Sequence, residues 1–353
     1  MNRIATICIL NFAIVVSSCG RAAAQGGAPP AAAVDLRPKF TPGQILRYHM
    51  ELATTTTGET AGVVQDPQGP SKLIVTWDAT VRIDILPPSA PSISASSSVA
   101  PLSPAAGAAA PGALRLRMTY EKSAATVQSD SYDPAADSVR DQYQRLEGRA
   151  VEFALNANGK VIDVSGVGDV VASPEAARYA QAWAEQFSAG LGAPGATVAP
   201  GQHWSADEPA TGIPLPNMTW HTDSTYLRND PCSEAATAAP PSAVTPSPAG
   251  GTAKAAEAGS PETCAVILNQ LSLVPPKSAR KSAKSGALAP LATGRWIGTG
   301  ESLIYISLRT GWVVNVEQSG DEKMDVTITS QRLDSIRYDG SVHSHIDLTL
   351  LPQ

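Results

Sequence analysis

Apolar and polar residues alternate with a period of two along several segments of this chain. In residues 46–52, 75–85 and 114–120 every second residue is apolar, and most of the residues between them are charged or polar. Such alternation is typical of strands with one buried and one exposed face, as in antiparallel sheets. The pattern predicts a mainly β (α+β) protein, with long antiparallel strands in one or more curved sheets or half-barrels.

Turn signals between these segments suggest two similar halves. Asn158-Gly159 is a favoured two-residue hairpin turn, and Thr310-Gly311 separates two further strand-like segments. The tripeptide Pro-Gly-Gln occurs at 42–44 and again at 200–202, each time just before a strand-like segment. We therefore expect an N-terminal β half at 35–170 and a C-terminal β half at 198–353, which form either one sheet system or two domains.

One helix is predicted within residues 173–190, packed between or on the two halves. Ser173 is a good N-cap and Pro174 suits the first helical position. Tyr179, Trp183 and Phe187 then fall on one face of the helix. The main interpretation is that this stripe packs on the sheet as core. The alternative is that the three side chains form a lid over an apolar ligand.

Four segments have a composition that disfavours ordered structure. Residues 25–34, 87–112, 233–261 and 275–292 are dominated by Ala, Pro, Ser and Gly. They have few large apolar groups to offset the entropy lost on ordering. We expect a disordered linker at 25–34 and disordered insertions at the other three positions.

The first residues resemble an export signal. Arg3 is followed by an apolar run at 4–16 and by three alanines at 22–24, which predicts a signal peptide at 1–24. Residues 16–19 also fit a lipobox, in which 1–18 are removed and Cys19 is lipidated, tethering the protein to a membrane. Both alternatives predict an exported protein of the periplasm or cell envelope, with a membrane-anchored lipoprotein as the second form.

Cysteine usage agrees with an oxidising compartment. Cys8 would leave with the signal, and Cys19 would be discarded or lipidated, which leaves Cys232 and Cys264 as a pair. We expect these two to form a disulfide at the ends of the 233–261 insertion. Their spacing fits neither a CxxC redox motif nor a zinc site.

The charge balance excludes nucleic acid as an expected partner. The whole chain has a formal charge of −6, and loss of 1–24 leaves 24 basic against 32 acidic residues, or −8. An acidic chain lacks the electrostatic footprint that phosphate backbones require. No phosphate-binding glycine-rich loop follows a strand, so no cofactor is predicted. Protein partners are not indicated by the sequence.

Polar residues on one strand give the best indication of a metal. His343, His345 and Asp347 are spaced by two and share one face, where two imidazoles and a carboxylate could hold zinc or copper. A solvated strand face is the simpler interpretation, so no metal site is predicted. Calcium is not expected either, because the acidic loop around 130–141 lacks the spacing and the glycine of an EF-hand.

The missing catalytic motifs favour a protein that is not an enzyme. There is no Gly-x-Ser-x-Gly elbow, and no free cysteine remains to act with a histidine. The first hypothesis is a non-catalytic binding or scaffold role in the cell envelope. The alternative is a carrier of a lipid or another apolar ligand, and a third hypothesis, a metal-dependent hydrolase, depends only on His343, His345 and Asp347.

Several turns and strand ends resemble a known family. The segments are 129–133, 145–148, 153–159, 161–166 and 298–316, together with Pro-Gly-Gln-His-Trp at 200–204, where family members have a Pro-x-Gly-Asp-x-Trp-like element. They are similar to a family of exported bacterial proteins classified only as a domain of unknown function. The resemblance implies a β-rich envelope protein, and it transfers no functional site.

Overall fold

A single antiparallel sheet contains all the long strands that the structure describes. The computed structural model describes residues 33–62, 71–87, 114–130, 134–155, 161–170, 197–210, 213–232, 262–275, 291–329 and 335–352. Within them, 11 strands form one sheet in which every pair of neighbours is antiparallel. The prediction of a mainly β protein of long antiparallel strands is confirmed.

The strands extend beyond the alternating segments that predicted them. Their bounds are β1 Ile45–Gly62, β2 Ser71–Leu86, β3 Leu114–Ser129, β4 Ala150–Leu155, β5 Val161–Ser165, β6 His203–Pro209, β7 Thr219–Pro231, β8 Thr263–Val274, β9 Leu291–Ser307, β10 Val313–Thr329 and β11 Ser335–Leu350. Since β9 begins at Leu291, residues 291–292 belong to this strand and not to the predicted insertion at 275–292.

The two halves are joined side by side in the middle of the sheet. The strand order is β5-β4-β3-β2-β1-β11-β10-β9-β8-β7-β6. Each half is therefore a meander, and the halves meet where β1 pairs with β11, from Tyr48 opposite Leu350 to Gly62 opposite Ile336. Of the two arrangements that the sequence left open, the structure has one sheet system.

One face of the sheet is buried, and we call it the inner face. In β2, Val75, Ala79 and Val81 are at most 2% exposed, whereas Thr76 and Asp78 between them are exposed. Cross-strand partners share a face, so the pairing extends the inner face from β2 through β1 and β11 to the C-terminal half. The opposite surface, which we call the outer face, carries most of the charged residues.

The repeated Pro-Gly-Gln tripeptide forms the same turn at the start of each half. Gly43 and Gly201 have φ values of 86° and 83°, a left-handed conformation that glycine adopts without strain. Gly43 N–H donates to Ile85 O at 2.8 Å, and Gly201 N–H donates to Tyr226 O at 2.6 Å. Each turn thus fixes the first strand of its half against the second, which supports two related halves.

A helix that the sequence did not reveal covers the inner face of the N-terminal half. Residues Pro134–Gln144, interpreted above as part of an acidic loop, form helix α1. Val139 and Tyr143 are 1% and 2% exposed and pack with Trp77 and Tyr120 of β2 and β3. A one-turn helix, α2, follows β5 at Val167–Val170.

A segment before β1 crosses the strand ends and closes one end of the inner face. Val34 forms an antiparallel bridge with Val198, and Lys39 N–H donates to Thr310 O at 2.8 Å. Leu36, which is 2% exposed, packs in the same apolar cluster as residues of β6 to β11. This crossing segment therefore joins the beginning of the N-terminal half to the beginning of the C-terminal half and to the turn between β9 and β10.

Some predictions lie outside the described residues. These are the signal peptide with Cys19, residues 25–32 of the linker, the Asn158-Gly159 turn and the helix at 173–190 with Tyr179, Trp183 and Phe187. The last linker residue, Val34, is ordered in the bridge to Val198, contrary to the predicted disorder. Among the helices that the structure describes, none is long and apolar enough to cross a membrane.

Candidate ligand-binding face of the C-terminal half

A row of polar side chains crosses the inner face of the C-terminal half. Trp204 of β6 lies opposite Ser224 of β7, which lies opposite Asn269 of β8. The row continues through Ser302 of β9 to Gln318 of β10. Period-two alternation would place apolar residues at these positions, so the row departs from the pattern that forms the rest of the inner face.

Apolar residues border this row on the side of the crossing segment. Tyr226, Ile267, Ile304 and Val316 are in register on β7 to β10, and each is at most 1% exposed. They belong to the apolar cluster that also contains Trp204. The polar row is therefore embedded in an apolar surface.

Three polar atoms of this region are buried and have no hydrogen-bond partner in the part of the chain that the structure describes. Thr222, Ser224 and Trp204 are 0%, 1% and 5% exposed. Among the described residues, no partner is found for Trp204 Nε1, Thr222 Oγ1 or Ser224 Oγ. A buried polar group without a partner costs about 1–3 kcal/mol, so such groups are rare in folded proteins and require a physical reason.

Glycines beside the polar row bring neighbouring strands close together on the inner face. Gly300 of β9 lies opposite Gly320 of β10. A Cβ atom added at Gly300 would lie 3.0 Å from Ser319 O, and one at Gly298 would lie 2.5 Å from Cη2 of the Trp220 ring. Glycine inside a strand is typical of a bend or of close backbone approach. Glycine at 298 thus leaves room for the Trp220 ring to lie on the sheet.

Two carboxyl groups also lie on this face. Glu322 of β10 is 9% exposed, and its Oε2 accepts a hydrogen bond of 2.7 Å from Trp296 Nε1. Burial raises the pKa of Glu322, against the smaller opposing effect of that hydrogen bond, and burial also raises the pKa of Glu208. Both shifts have the same cause, since desolvation disfavours the charged form of a carboxyl group.

The positive charges of the described part of β6 to β10 lie on the other face of the sheet. Every Lys, Arg and His of β6 to β10 within the described residues occupies an outer-face position. His221, for example, lies on the outer face of β7, where its Nδ1 is 2.6 Å from Asp207 Oδ1. That hydrogen bond is the main reason that the pKa of His221 is raised.

The predicted histidine cluster lies on the outer face of the sheet. His343, His345 and Asp347 share that face, as their spacing predicted, but each imidazole contacts a different carboxylate. His343 Nδ1 is 2.9 Å from Asp321 Oδ1, and His345 Nε2 is 2.9 Å from Asp347 Oδ2. These ion pairs agree with a solvated strand face, the simpler of the two interpretations.

A different group on the outer face has the composition of a metal site. The ligand atoms of His49, Glu51 and Asp78 lie within 4.8 Å of one another. His49 Nε2 is 2.8 Å from Glu51 Oε1 and 3.3 Å from Asp78 Oδ2, with both carboxylates exposed. Exposed ion pairs of this kind form without a metal, and we assign no function to this group.

The predicted disulfide is confirmed. Cys232 and Cys264 are bonded, with their Cα atoms 5.0 Å apart and a sequence separation of 32. The bond joins the end of β7 to the start of β8, where Cys264 lies opposite Asp230. It therefore fixes the hairpin that carries Thr222 and Ser224.

Comparison with known proteins adds little to this description. No family model matches the chain, and no curated protein matches it. Among solved structures, the chain is similar to one from a study of lipid–protein interactions in lipovitellin, with 9% sequence identity and a TM-score of 0.42. The match covers 89% of this chain and 26% of that chain. So distant a likeness transfers neither fold nor ligand, and the function proposed below depends on the residues of this chain.

Proposed function

We propose that this chain is an exported cell-envelope protein that binds a lipid or another apolar ligand on the inner face of its C-terminal half, without catalysis. The observation that carries the proposal is a set of three buried polar atoms, on Trp204, Thr222 and Ser224, for which the described residues offer no hydrogen-bond partner. Ligand sites combine a mainly apolar lining with a few polar groups that fix the orientation of the ligand. The inner face of this half has that composition.

The energetics of the polar groups support a binding role over a purely structural one. Replacing Thr222 by Val would keep the shape of the side chain and remove a hydroxyl that costs folding free energy. A surface that served only as core would gain stability by that change. Groups that cost stability are expected where function requires them, and a ligand acceptor would satisfy them.

The sequence supports the proposed location in the cell envelope. The signal-like residues 1–24, the lipobox around Cys19 and the resemblance to exported bacterial proteins all favour the cell envelope. The Cys232–Cys264 disulfide is compatible with such an oxidising compartment. Lipidation of Cys19 would hold the carrier at a membrane surface, where apolar ligands are found.

Binding of an apolar probe to the mature protein tests the proposal. We expect N-phenyl-1-naphthylamine to gain fluorescence in a saturable manner with one site per chain, and native mass spectrometry to detect a co-purified apolar molecule. Protein that is folded by circular dichroism and gives neither result would contradict the proposal and return the chain to a scaffold role.

The chain's own segment at 174–188 is the competing occupant of the inner face. If its predicted helix packs there as core, the native protein will not bind the probe. A variant in which 174–188 is replaced by a Gly-Ser linker distinguishes the cases. Probe binding by the native protein supports the carrier proposal, whereas probe binding that appears only in the variant overturns that proposal.

A further inference from the structure

We infer that the polar group of the ligand is uncharged and accepts hydrogen bonds, as an ester carbonyl, an amide carbonyl or a hydroxyl does in a neutral lipid. The inference rests on the proposed function and specifies the class of ligand. It excludes fatty acids and phospholipids, whose carboxylate or phosphate groups carry negative charge, as the preferred ligands of this face.

The donors on the inner face require an acceptor. An indole N–H can only donate, so the partner of Trp204 Nε1 must be a lone pair, while the hydroxyls of Thr222 and Ser224 can donate or accept. Ser224 lies directly opposite Trp204, and Thr222 is two residues along β7 on the same face. Directly opposite Cβ atoms are about 4.5–5.5 Å apart, so one carbonyl or hydroxyl group can reach both side chains.

The charges on this face disfavour an anion. No Lys, Arg or His of β6 to β10 lies on the inner face within the described residues. Glu208 and Glu322 are on that face, and the Trp220 ring lies between them. Trp220 is opposite Glu208 in the register. Its ring reaches Gly298, which is opposite Glu322. An anion placed here would lose its hydration without gaining a cation from β6 to β10, and Glu208 and Glu322, four residues further along their strands, would add only repulsion.

A cationic group is disfavoured at Trp204 for a different reason. An ammonium or guanidinium group carries only donors, and the indole N–H also only donates. A cationic group beside Ser224 would therefore leave the indole N–H without an acceptor. An uncharged acceptor is the group that satisfies the indole N–H and brings no charge into an apolar surface.

Ligands with the same chain and different polar groups test the inference. We expect 1-monopalmitoylglycerol to displace N-phenyl-1-naphthylamine at a concentration about tenfold lower than palmitate at pH 8, with both ligands kept below their micellar range. Trp204→Phe should reduce this preference to about threefold or less, because it removes the donor that selects an acceptor.

Controls separate this inference from the proposed function. Trp77→Phe changes the same residue type on the same face of the other half, and the preference should be unchanged. Thr222→Val provides a second variant if Trp204→Phe does not fold, and it too should reduce the preference. Palmitate that binds as tightly as the monoglyceride, or a preference that survives both Trp204→Phe and Thr222→Val, overturns the inference while the proposed function stands. Failure of the probe itself to bind instead overturns the proposed function.

Discussion

The two halves of the sheet differ in the hydrogen bonding of a buried tryptophan and a buried serine on the inner face. In the N-terminal half, Trp77 Nε1 donates to Ser123 Oγ at 2.9 Å, and Ser123 Oγ donates to Tyr143 O of α1 at 2.6 Å. In the C-terminal half, Trp204 lies opposite Ser224 in the strand register, and neither Trp204 Nε1 nor Ser224 Oγ has a partner among the described residues.

The difference shows that similar residues on the same sheet face can be hydrogen-bonded in one half and lack a partner among the described residues in the other. Both halves place a tryptophan and a serine on the buried face of neighbouring strands. A helix backbone completes the hydrogen bonds of the first pair, so that pair contributes stability. The second pair has no hydrogen-bond partner among the described residues, and this difference is the basis of the proposed function.

Removing the helix anchor of the N-terminal half should have the largest effect. Tyr143 is 2% exposed, and its ring centroid lies 5.2 Å from that of Trp77. We expect Tyr143→Ala to lower the free energy of unfolding by about 3–5 kcal/mol, as for other buried aromatic truncations. Urea denaturation followed by circular dichroism measures the loss, with exposed Gln144→Ala as the control. A loss below about 1 kcal/mol would contradict the packing of α1.

Removing the disulfide should loosen the C-terminal half in particular. The Cys232–Cys264 bond closes a separation of 32 residues, for which the chain-entropy model gives about 3–4 kcal/mol. In a Cys232→Ala, Cys264→Ala variant, hydrogen exchange should accelerate most in β7 and β8. If hydrogen exchange accelerates equally in β2 and β3, the two halves unfold as one unit, which would contradict a local effect of the disulfide on the C-terminal half.

Substitution of one hydroxyl in each half should change stability in opposite directions. Ser123→Ala leaves Trp77 Nε1 without its acceptor and should cost about 1–3 kcal/mol, with probe binding unchanged. Thr222→Val removes an unpartnered hydroxyl and should stabilise the protein by about 1 kcal/mol. The same Thr222→Val protein should bind 1-monopalmitoylglycerol more weakly. Destabilisation by both substitutions would mean that Thr222 has a structural partner.

The smallest predicted effect concerns the buried carboxyl group of Glu322. Its pKa is raised above the ordinary value of 4.5 by burial. Because the folded protein holds the proton more tightly than the unfolded chain, stability is lost as the pH rises from about 4.5 through the folded pKa. Glu322→Gln keeps an acceptor for Trp296 Nε1, so it should raise the melting temperature at pH 8 and leave it unchanged at pH 4. An equal change in melting temperature at pH 4 and pH 8 would show that the substitution acts through packing and not through the charge of Glu322.

The strands could be predicted from the sequence because their signal is local. Alternation at 75–85 and 114–120 assigns β2 and β3, and it also identifies which residues face inward. The pairing of β1 with β11 could not be predicted in the same way. It joins segments at opposite ends of the chain, and no short-range pattern records such a contact.

Helix α1 was missed because its apolar positions are few. Only Val139 and Tyr143, followed by Leu146, mark its buried side, and the acidic residues around them suggested a loop. The i, i+4 spacing of Val139 and Tyr143, with Pro134 at the helix start, was the signal available.

The candidate site was harder to predict than the helix. Polar residues occupy both faces of residues 221–225, so the sequence does not show that Thr222 and Ser224 point inward. Trp204 was noted only as the end of a turn motif. Their common feature, burial without a partner, depends on cross-strand register and exists only in the folded sheet.

The indole N–H resonance of Trp204 tests the central claim most directly. In ¹H–¹⁵N spectra of the ¹⁵N-labelled protein, assigned by comparison with Trp204→Phe, addition of 1-monopalmitoylglycerol should move this resonance downfield as Nε1 gains an acceptor. The resonance of Trp77, which already donates to Ser123, should stay in place. A Trp204 resonance that does not move at saturating ligand, or that moves no more than that of Trp77, would contradict the account.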